Sequence, residues 1–317
     1  MARLDEVTAF APASIGNVGV GFDMLGLAIA GVGDRVTARR VPDGGVRIKG
    51  IRGTNGEPHP SLSAHAGENT ASVAAQALWD SAGEKGGVEL ELHKGVPLQS
   101  GMGSSAASAV AGVVAVNGLL TDPRPVDDLL EFALAGEEVA SGSVHADNVA
   151  PSLMGGLVLT PPALLPRAIR LDVPASISSV VLHPDLLVNT AEARKKLESG
   201  YSMGQWLAQQ GYLAGFLAGL AADDHELIGE CLKDVIIEPQ RASAVPCFAD
   251  VKAAALAAGA LGSSLSGSGP SIFALCANGV AERVRVSMEQ AARGCGYDCR
   301  TWISPMRAPG AHLEPDP

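Results

Sequence analysis

The stretch from Ala106 to Leu120 constrains this chain more than any other. It is apolar around its whole helical circumference, with Ser108 and Asn117 as polar exceptions. A helix with one apolar stripe can lie on a surface, but one that is apolar all round must be covered on every side. It is too short to cross a bilayer, so it predicts a domain large enough to enclose it. The segment that feeds it is equally telling: Pro97-Leu-Gln-Ser-Gly-Met-Gly-Ser-Ser-Ala-Ala-Ser108. Gly101 and Gly103 let the backbone take φ > 0 and approach a ligand closely. Ser104 and Ser105 open the helix, whose free N–H groups and positive dipole end favour a phosphate. A serine hydroxyl there can also ligate Mg²⁺.

Two other phosphate motifs are tested by the same residues. The pattern GxxxxGK[ST] is absent, which argues against a P-loop NTPase. Gly101-Met-Gly103-Ser-Ser-Ala106 satisfies GxGxxA, but a dinucleotide loop follows a buried strand at once, and here Lys94 to Ser100 intervene. The strand before it, Val88 to His93, alternates with period two and so is half-buried, unlike a parallel core strand.

Around this centre we expect strands at Val7–Ser14 and Met24–Ala30, and a hairpin of Arg35–Val41 with Gly45–Ile51 about the Pro-Asp-Gly-Gly turn. Helices are expected at Asn69–Ser81, with Asn69 as N-cap, and at Val126–Ala140. Pro161-Pro-Ala-Leu-Leu-Pro166 is the candidate division, giving domains at 1–165 and 166–307 and a frayed tail at 308–317. Beyond it lie two strands, helices at 191–199, 203–221, 224–233 and 248–258, strands at 261–266 and 271–276, a helix near 281–293 and a strand at 299–303. The mixture lacks strict βαβ alternation, so the class is α+β. A length of 317 residues suits two moderate domains.

With 23 basic against 34 acidic residues the net charge is −11, which argues against nucleic-acid binding. No apolar signal core or membrane span is evident. The five cysteines include Cys295 and Cys299, a pair without a nearby histidine, read as reduced thiols of a cytoplasmic protein rather than a zinc site.

Two further glycine loops join strands: Ala11-Pro-Ala-Ser-Ile-Gly-Asn-Val-Gly-Val-Gly-Phe-Asp23 and Leu265-Ser-Gly-Ser-Gly-Pro-Ser271. Taken with the central loop, in this order and spacing, they resemble the signature segments of the GHMP kinase superfamily; Met102 stands where that family usually has Leu. The resemblance implies a two-domain GHMP kinase fold, with an N-terminal domain like the second domain of ribosomal protein S5 and a ferredoxin-like C-terminal domain. It implies ATP bound through Pro97, Ser100, Gly101, Met102, Gly103, Ser104 and Ser105, with Gly267 and Gly269 in support. Asn69 and Lys94 match nucleotide-site positions, and Ser105 with Glu137 matches the Mg²⁺ ligands, Glu138 being the neighbouring alternative.

Within the superfamily, the passages around Asn17 and Asp23, Gly142-Ser-Val-His-Ala-Asp-Asn-Val-Ala-Pro151, Thr190-Ala-Glu-Ala-Arg194 and Glu238-Pro-Gln-Arg241 are similar to those of homoserine kinases. That implies phosphorylation of L-homoserine in threonine biosynthesis, by a homodimer. Two arginines suit the substrate carboxylate and one aspartate its ammonium. The resemblance assigns Arg194 and Arg241 to the first, Asp23 to the second, and Asn17, His145 and Asn148 to the region of the hydroxyl. On residues alone, Arg194 beside Lys195 and Lys196 reads as a solvated charge, and His145 as a core or capping histidine. Mevalonate-type kinases carry an acidic base where Asn148 stands, so a mevalonate-type mechanism is not expected. Another small-alcohol kinase, or a kinase-like sensor that binds ATP without turnover, remain the alternatives.

Overall fold

The computed structural model describes residues 4–141, 144–195, 197–198 and 200–315. In chain order the first half holds β1 (Glu6–Gly16), β2 (Leu25–Val41), β3 (Gly45–Arg52), α1 (Thr70–Ala82), β4 (Gly87–His93), α2 (Ser104–Leu119), α3 (Leu130–Ser141), α4 (Ala146–Met154) and β5 (Leu157–Leu159). The second half continues with β6 (Ile169–Leu171), β7 (Ile177–Pro184), α5 (Thr190–Lys195), α6 (Met203–Ala222), α7 (His225–Cys231), α8 (Glu238–Arg241) and α9 (Phe248–Ala257). It closes with β8 (Gly262–Leu265), β9 (Ile272–Ala277), α10 (Ala281–Gly294), β10 (Cys299–Pro305) and β11 (His312–Leu313). Among the described residues no helix is long and apolar enough to cross a membrane.

The first sheet runs β11-β1-β2-β4-β3, with β5 on β2 and β6 on β5. The expected hairpin of β2 with β3 does not form, because β4 lies between them, antiparallel to β2 and parallel to β3. Glycine makes the insertion possible. A Cβ on Gly87 would lie 2.0 Å from the Asp43 carbonyl and 2.4 Å from that of Gly45, so the start of β4 wedges into the mouth of the turn. The Pro-rich passage after β5 is a turn within this sheet, and the chain leaves it after Leu171. The frayed tail is corrected too: β11 pairs with β1, and Ala311 N–H is bonded to the Ser152 carbonyl at 2.9 Å.

The second sheet is antiparallel in the order β10-β7-β9-β8. With α9 and α10 as crossovers, its strands stand fourth, first, third and second, the ferredoxin-like arrangement. The molecule is thus layered. Helix α2 sits between the first sheet and α1, α3 and α4, with Val110, Val113 and Val116 fully buried. Each such valine contributes about 1.5–2 kcal/mol by burial. Small residues set the spacing: a Cβ on Gly112 would lie 2.6 Å from the Ala71 carbonyl of α1. The other face of the first sheet, with Ile15, Leu27 and Met102, shares one apolar layer with Phe216, Leu220, Phe273 and Met306 of the second half. The cleft opens at the edge of that layer.

Helix α4 was not expected, since Pro151 lies inside it. Proline lacks the N–H that would bond the carbonyl four residues back, here that of Asp147. That carbonyl instead faces Gly26 so closely that a Cβ there would lie 1.6 Å from its oxygen.

Candidate active site

The three glycine loops meet at one cleft of about 760 Å³. They are stitched by backbone: Ser14 N–H donates to the Met102 carbonyl (3.1 Å), Gly267 N–H to that of Gly16 (3.1 Å), and Ser271 N–H to that of Ser100 (3.1 Å). Close approach demands glycine. A Cβ on Gly101, at φ 73°, would lie 2.4 Å from the Ser266 carbonyl and 2.6 Å from that of Gly269. Three residues of the first loop that are not glycine also hold φ > 0, Asn17 at 66°, Val18 at 39° and Asp23 at 56°. Strain of this kind persists only where surroundings over-determine it.

Gly103 is the N-cap of α2, in the left-handed region at φ 66°, and gives no side-chain cap to the helix's first N–H groups. Ser104 turns inward, its hydroxyl donating to the Val96 carbonyl at 3.0 Å. Ser105 turns the other way, donating to Glu137 Oε1 at 3.0 Å. Glu137 is buried on α3, whereas Glu138 is exposed. Among the described residues no three histidine, cysteine or acidic side chains gather as a metal cage. A hydroxyl and one carboxylate at an uncapped helix start are, however, hard oxygen donors of the kind that suit Mg²⁺. Ser100 supports the loop from below, accepting from Met102 N–H at 3.2 Å. The Met102 side chain is fully buried and anchors the loop in the shared apolar layer. Pro97 is buried where the chain enters the loop, and neither it nor Met102 nor Gly269 lines the cleft.

Lys94 lies behind this loop. Its ammonium is bonded to Asp34 Oδ2, to the Ser104 carbonyl at 2.8 Å and to Ser108 Oγ at 2.7 Å. All three of its protons are therefore taken within the protein, and the ammonium, at the cleft wall, ties the loop to Asp34 and Ser108. Asp34 completes the device by accepting from Gly95 N–H (2.9 Å) and Val96 N–H (3.0 Å). Asn69 is the α1 N-cap, accepting from Ala71 N–H at 3.0 Å and donating to the Ser63 carbonyl at 3.1 Å at the cleft wall.

At the other end of the cleft Asn17 is buried, donating to the Gly267 carbonyl (3.0 Å) and accepting from Asp23 N–H (3.1 Å). Asp23 Oδ2 accepts from both terminal nitrogens of Arg194, at 2.9 and 2.7 Å. Arg241, 6% exposed, donates to the Gly267 carbonyl at 2.9 Å. Burial lowers its pKa, with the nearby Asp23 charge working the other way. Both guanidiniums lie over the ring of Phe22.

Between the two ends stand the residues of α4 and its N-cap. Asn148 Oδ1 accepts from Ser14 Oγ at 3.0 Å. His145 Nδ1 is 3.3 Å from Glu137 Oε1. Burial pulls the His145 pKa down, but the hydrogen bond to Glu137 and the charges of Glu137 and Asp147 outweigh it, so the net direction is up. Asp147 Oδ2 accepts from Asn17 N–H at 2.9 Å, and its carboxyl is pushed up to about 6 by burial and by Asp23. Ser14, Phe22, Asp34 and Asp147 were not among the expected site residues. Ser14, Phe22 and Asp147 lie inside quoted motifs, but Asp34 carries no local signal. Of the quoted passages and expected helices, residues 142, 143, 196 and 199 lie outside the described ones.

Comparison with known proteins shows the family of the chain. The model for the GHMP kinase N-terminal domain matches residues 69–156, and that for the GHMP kinase C-terminal domain matches 216–293. A homoserine kinase of Xanthomonas campestris pv. campestris (strain B100) is 45% identical over 98% of this chain and 94% of its own. One from Chloroherpeton thalassium is 39% identical over 98% of this chain and 100% of its own. The crystal structure of homoserine kinase from Cytophaga hutchinsonii superposes with a TM-score of 0.94 at 42% identity, covering 99% of each chain. Lactococcus lactis galactokinase, at 16% identity and a TM-score of 0.70 over 98% of this chain and 95% of its own, shares the fold.

Proposed function

The chain belongs to the GHMP kinases, and to the homoserine kinases among them, and from that premise we propose how it moves the γ-phosphoryl group of ATP to the hydroxyl of L-homoserine. One observation carries the reading. Asp23, Arg194 and Arg241 gather round Phe22 at one end of the cleft, and the uncapped start of α2 with Ser105 and Glu137 forms the other. The first end matches an amino acid with ammonium and carboxylate; the second matches a polyphosphate.

In this reading the N–H groups at the start of α2 take the phosphates of ATP, and the Asp34–Lys94 device keeps the loop in place behind them. Ser105 and Glu137 would hold Mg²⁺, which when bound neutralises charge on the phosphates. Arg194 and Arg241 take the substrate carboxylate and Asp23 the ammonium, so the Asp23–Arg194 pair opens to admit a zwitterion. Asn148, whose amide orientation is set by the Ser14 hydroxyl, orients the reacting hydroxyl. An amide cannot accept a proton at neutral pH, and phosphoryl transfer through a loose transition state needs little activation of the nucleophile. Positioning then supplies most of the rate, and the proton leaves late, to a phosphate oxygen. The cysteines are all unpaired thiols in the described structure, which supports a reducing, cytoplasmic setting, and we propose a homodimer as the assembly.

The test is ADP release with L-homoserine, mevalonate and a simple diol. Preference for homoserine by at least about 10³ in kcat/KM is expected, because Arg241 is buried and a buried charge left unpaired costs several kcal/mol. Comparable turnover of mevalonate would refute the substrate assignment. Homoserine binding without ADP release would instead favour a sensor.

A further inference from the structure

The cationic end of the cleft poses a physical problem that its hydrogen bonds do not solve. Arg241 and Arg194 are like charges brought into one pocket. Arg194 is held by Asp23. Arg241 is not: among the described residues it has no carboxylate within ion-pair distance, and its Nε is buried without a hydrogen-bond partner. Its Nη1 has the Gly267 carbonyl, which also accepts from Asn17, so one carbonyl serves two donors. A single such bond leaves a long side chain free to pivot, and the main offsetting charge, Asp23, is shared with Arg194. Besides Asp23, the half-buried ring of Phe22 faces both arginines. Its centroid lies 5.2 Å from the Arg241 guanidinium carbon and 5.6 Å from that of Arg194.

We propose that Phe22 is a positioning residue for substrate capture: its ring holds the two guanidiniums at the spacing that one carboxylate bridges. The negative face of an aromatic ring attracts a cation, most effectively where water is excluded. The ring therefore adds to the attraction of Asp23 in offsetting the repulsion between the arginines before the substrate arrives, and keeps Arg241 from swinging away. Phe22 itself needs no contact with the reacting hydroxyl, so its effect falls on binding rather than on chemistry. This inference rests on the assignment of the cleft to homoserine and refines it.

The experiment compares Phe22→Leu, which keeps apolar bulk but has no ring face, with Phe22→Tyr, which keeps the face. KM and kcat are measured for L-homoserine, for its carboxamide (an uncharged amide in place of the carboxylate) and for ATP. Phe22→Leu should raise KM for homoserine about tenfold, with kcat and the KM for ATP within about twofold. The KM for the carboxamide should move less than about threefold, and Phe22→Tyr should behave as wild type. Equal losses on homoserine and carboxamide, or a Tyr variant as impaired as the Leu variant, would overturn the proposal. So would an unaffected Leu variant in an enzyme that still prefers homoserine. If wild type itself uses the carboxamide as well as homoserine, the carboxylate assignment fails first and this inference falls with it.

Discussion

Replacing Lys94 with methionine tests whether the lysine behind the phosphate loop holds the loop or touches the nucleotide. The side chains of Lys94 and Asp34 are 3% and 2% exposed. Breaking such a buried pair by removing one partner costs about 3–5 kcal/mol, because the other charge is left without compensation. Lys94→Met also frees the Ser104 carbonyl and Ser108 Oγ, but those losses overlap with the first and do not simply add. We expect a loss of about 4 kcal/mol in urea unfolding, a large share of the roughly 5–15 kcal/mol that keeps a domain folded. The double variant Asp34→Asn/Lys94→Met is the informative one. An asparagine at 34 still offers an oxygen to Gly95 N–H and Val96 N–H and a donor to Ser108, while methionine replaces the apolar stem of the lysine. It should recover at least half of the lost stability, and its KM for ATP should stay within about threefold of wild type. Additive losses would refute the buried-pair account. Recovered stability with a KM for ATP raised more than about tenfold would show that the ammonium binds the nucleotide.

Three further outcomes are expected. Glu137→Gln should lower kcat by at least about 10² with little change in KM for homoserine, as for loss of a metal-placing carboxylate; unchanged kcat at saturating Mg²⁺ would refute the assignment. His145→Gln should cost less than about 10² in kcat, because a general base is worth about 10²–10⁴; a loss near 10⁴ at unchanged KM would make His145 the base. Asp147, pushed up to about 6, keeps its proton in the folded state at pH values where the unfolded chain has lost it. Its contribution to stability is therefore fully present below about pH 4 and lost as pH rises through about 6. Asp147→Asn should then gain on wild type by about 2 kcal/mol between pH 4 and pH 7 in urea unfolding; a difference independent of pH would contradict this.

What was legible in the sequence was local or contiguous. The cap at Asn69, the all-round apolar α2 and the central glycine loop each declare themselves within a short window; the other two glycine loops read equally well as turns, and only the family resemblance implied that all three serve one site. The α+β class and the strand–helix pattern of the second half follow from the same periodicities. Asp34 was not legible, because a single acid between Gly33 and Arg35 looks like the solvent side of an alternating strand. Its partner Lys94 is 60 residues away, and no window spans both. The position of β4 also escaped, since the turn at 42–45 favours a hairpin and only its contact with Gly87 overrides it. Pro151 hid α4, because proline normally ends a helix, and the carbonyl it leaves open has Gly26 against it instead. Glu137 came from the resemblance, with Glu138 as the neighbouring alternative, and of the two it is the buried one.

The strand at His312–Leu313 has a bearing on how the molecule is made. It covers β1 at the outer edge of the first sheet, with Glu314 N–H bonded to the Thr8 carbonyl at 2.8 Å and Arg35 Nε 2.8 Å from the Glu314 carboxylate. During synthesis β1 emerges first and its cover emerges after everything else described. Until then the edge beside Ala9 and Phe10 presents unpaired backbone groups, the kind of template on which strands of other chains assemble. A chain cut anywhere between the two sheets, however well each half keeps its core, would leave that edge open for good. Expression of the first half alone should therefore give material that associates through β1, and a supplied peptide spanning 308–315 should suppress it.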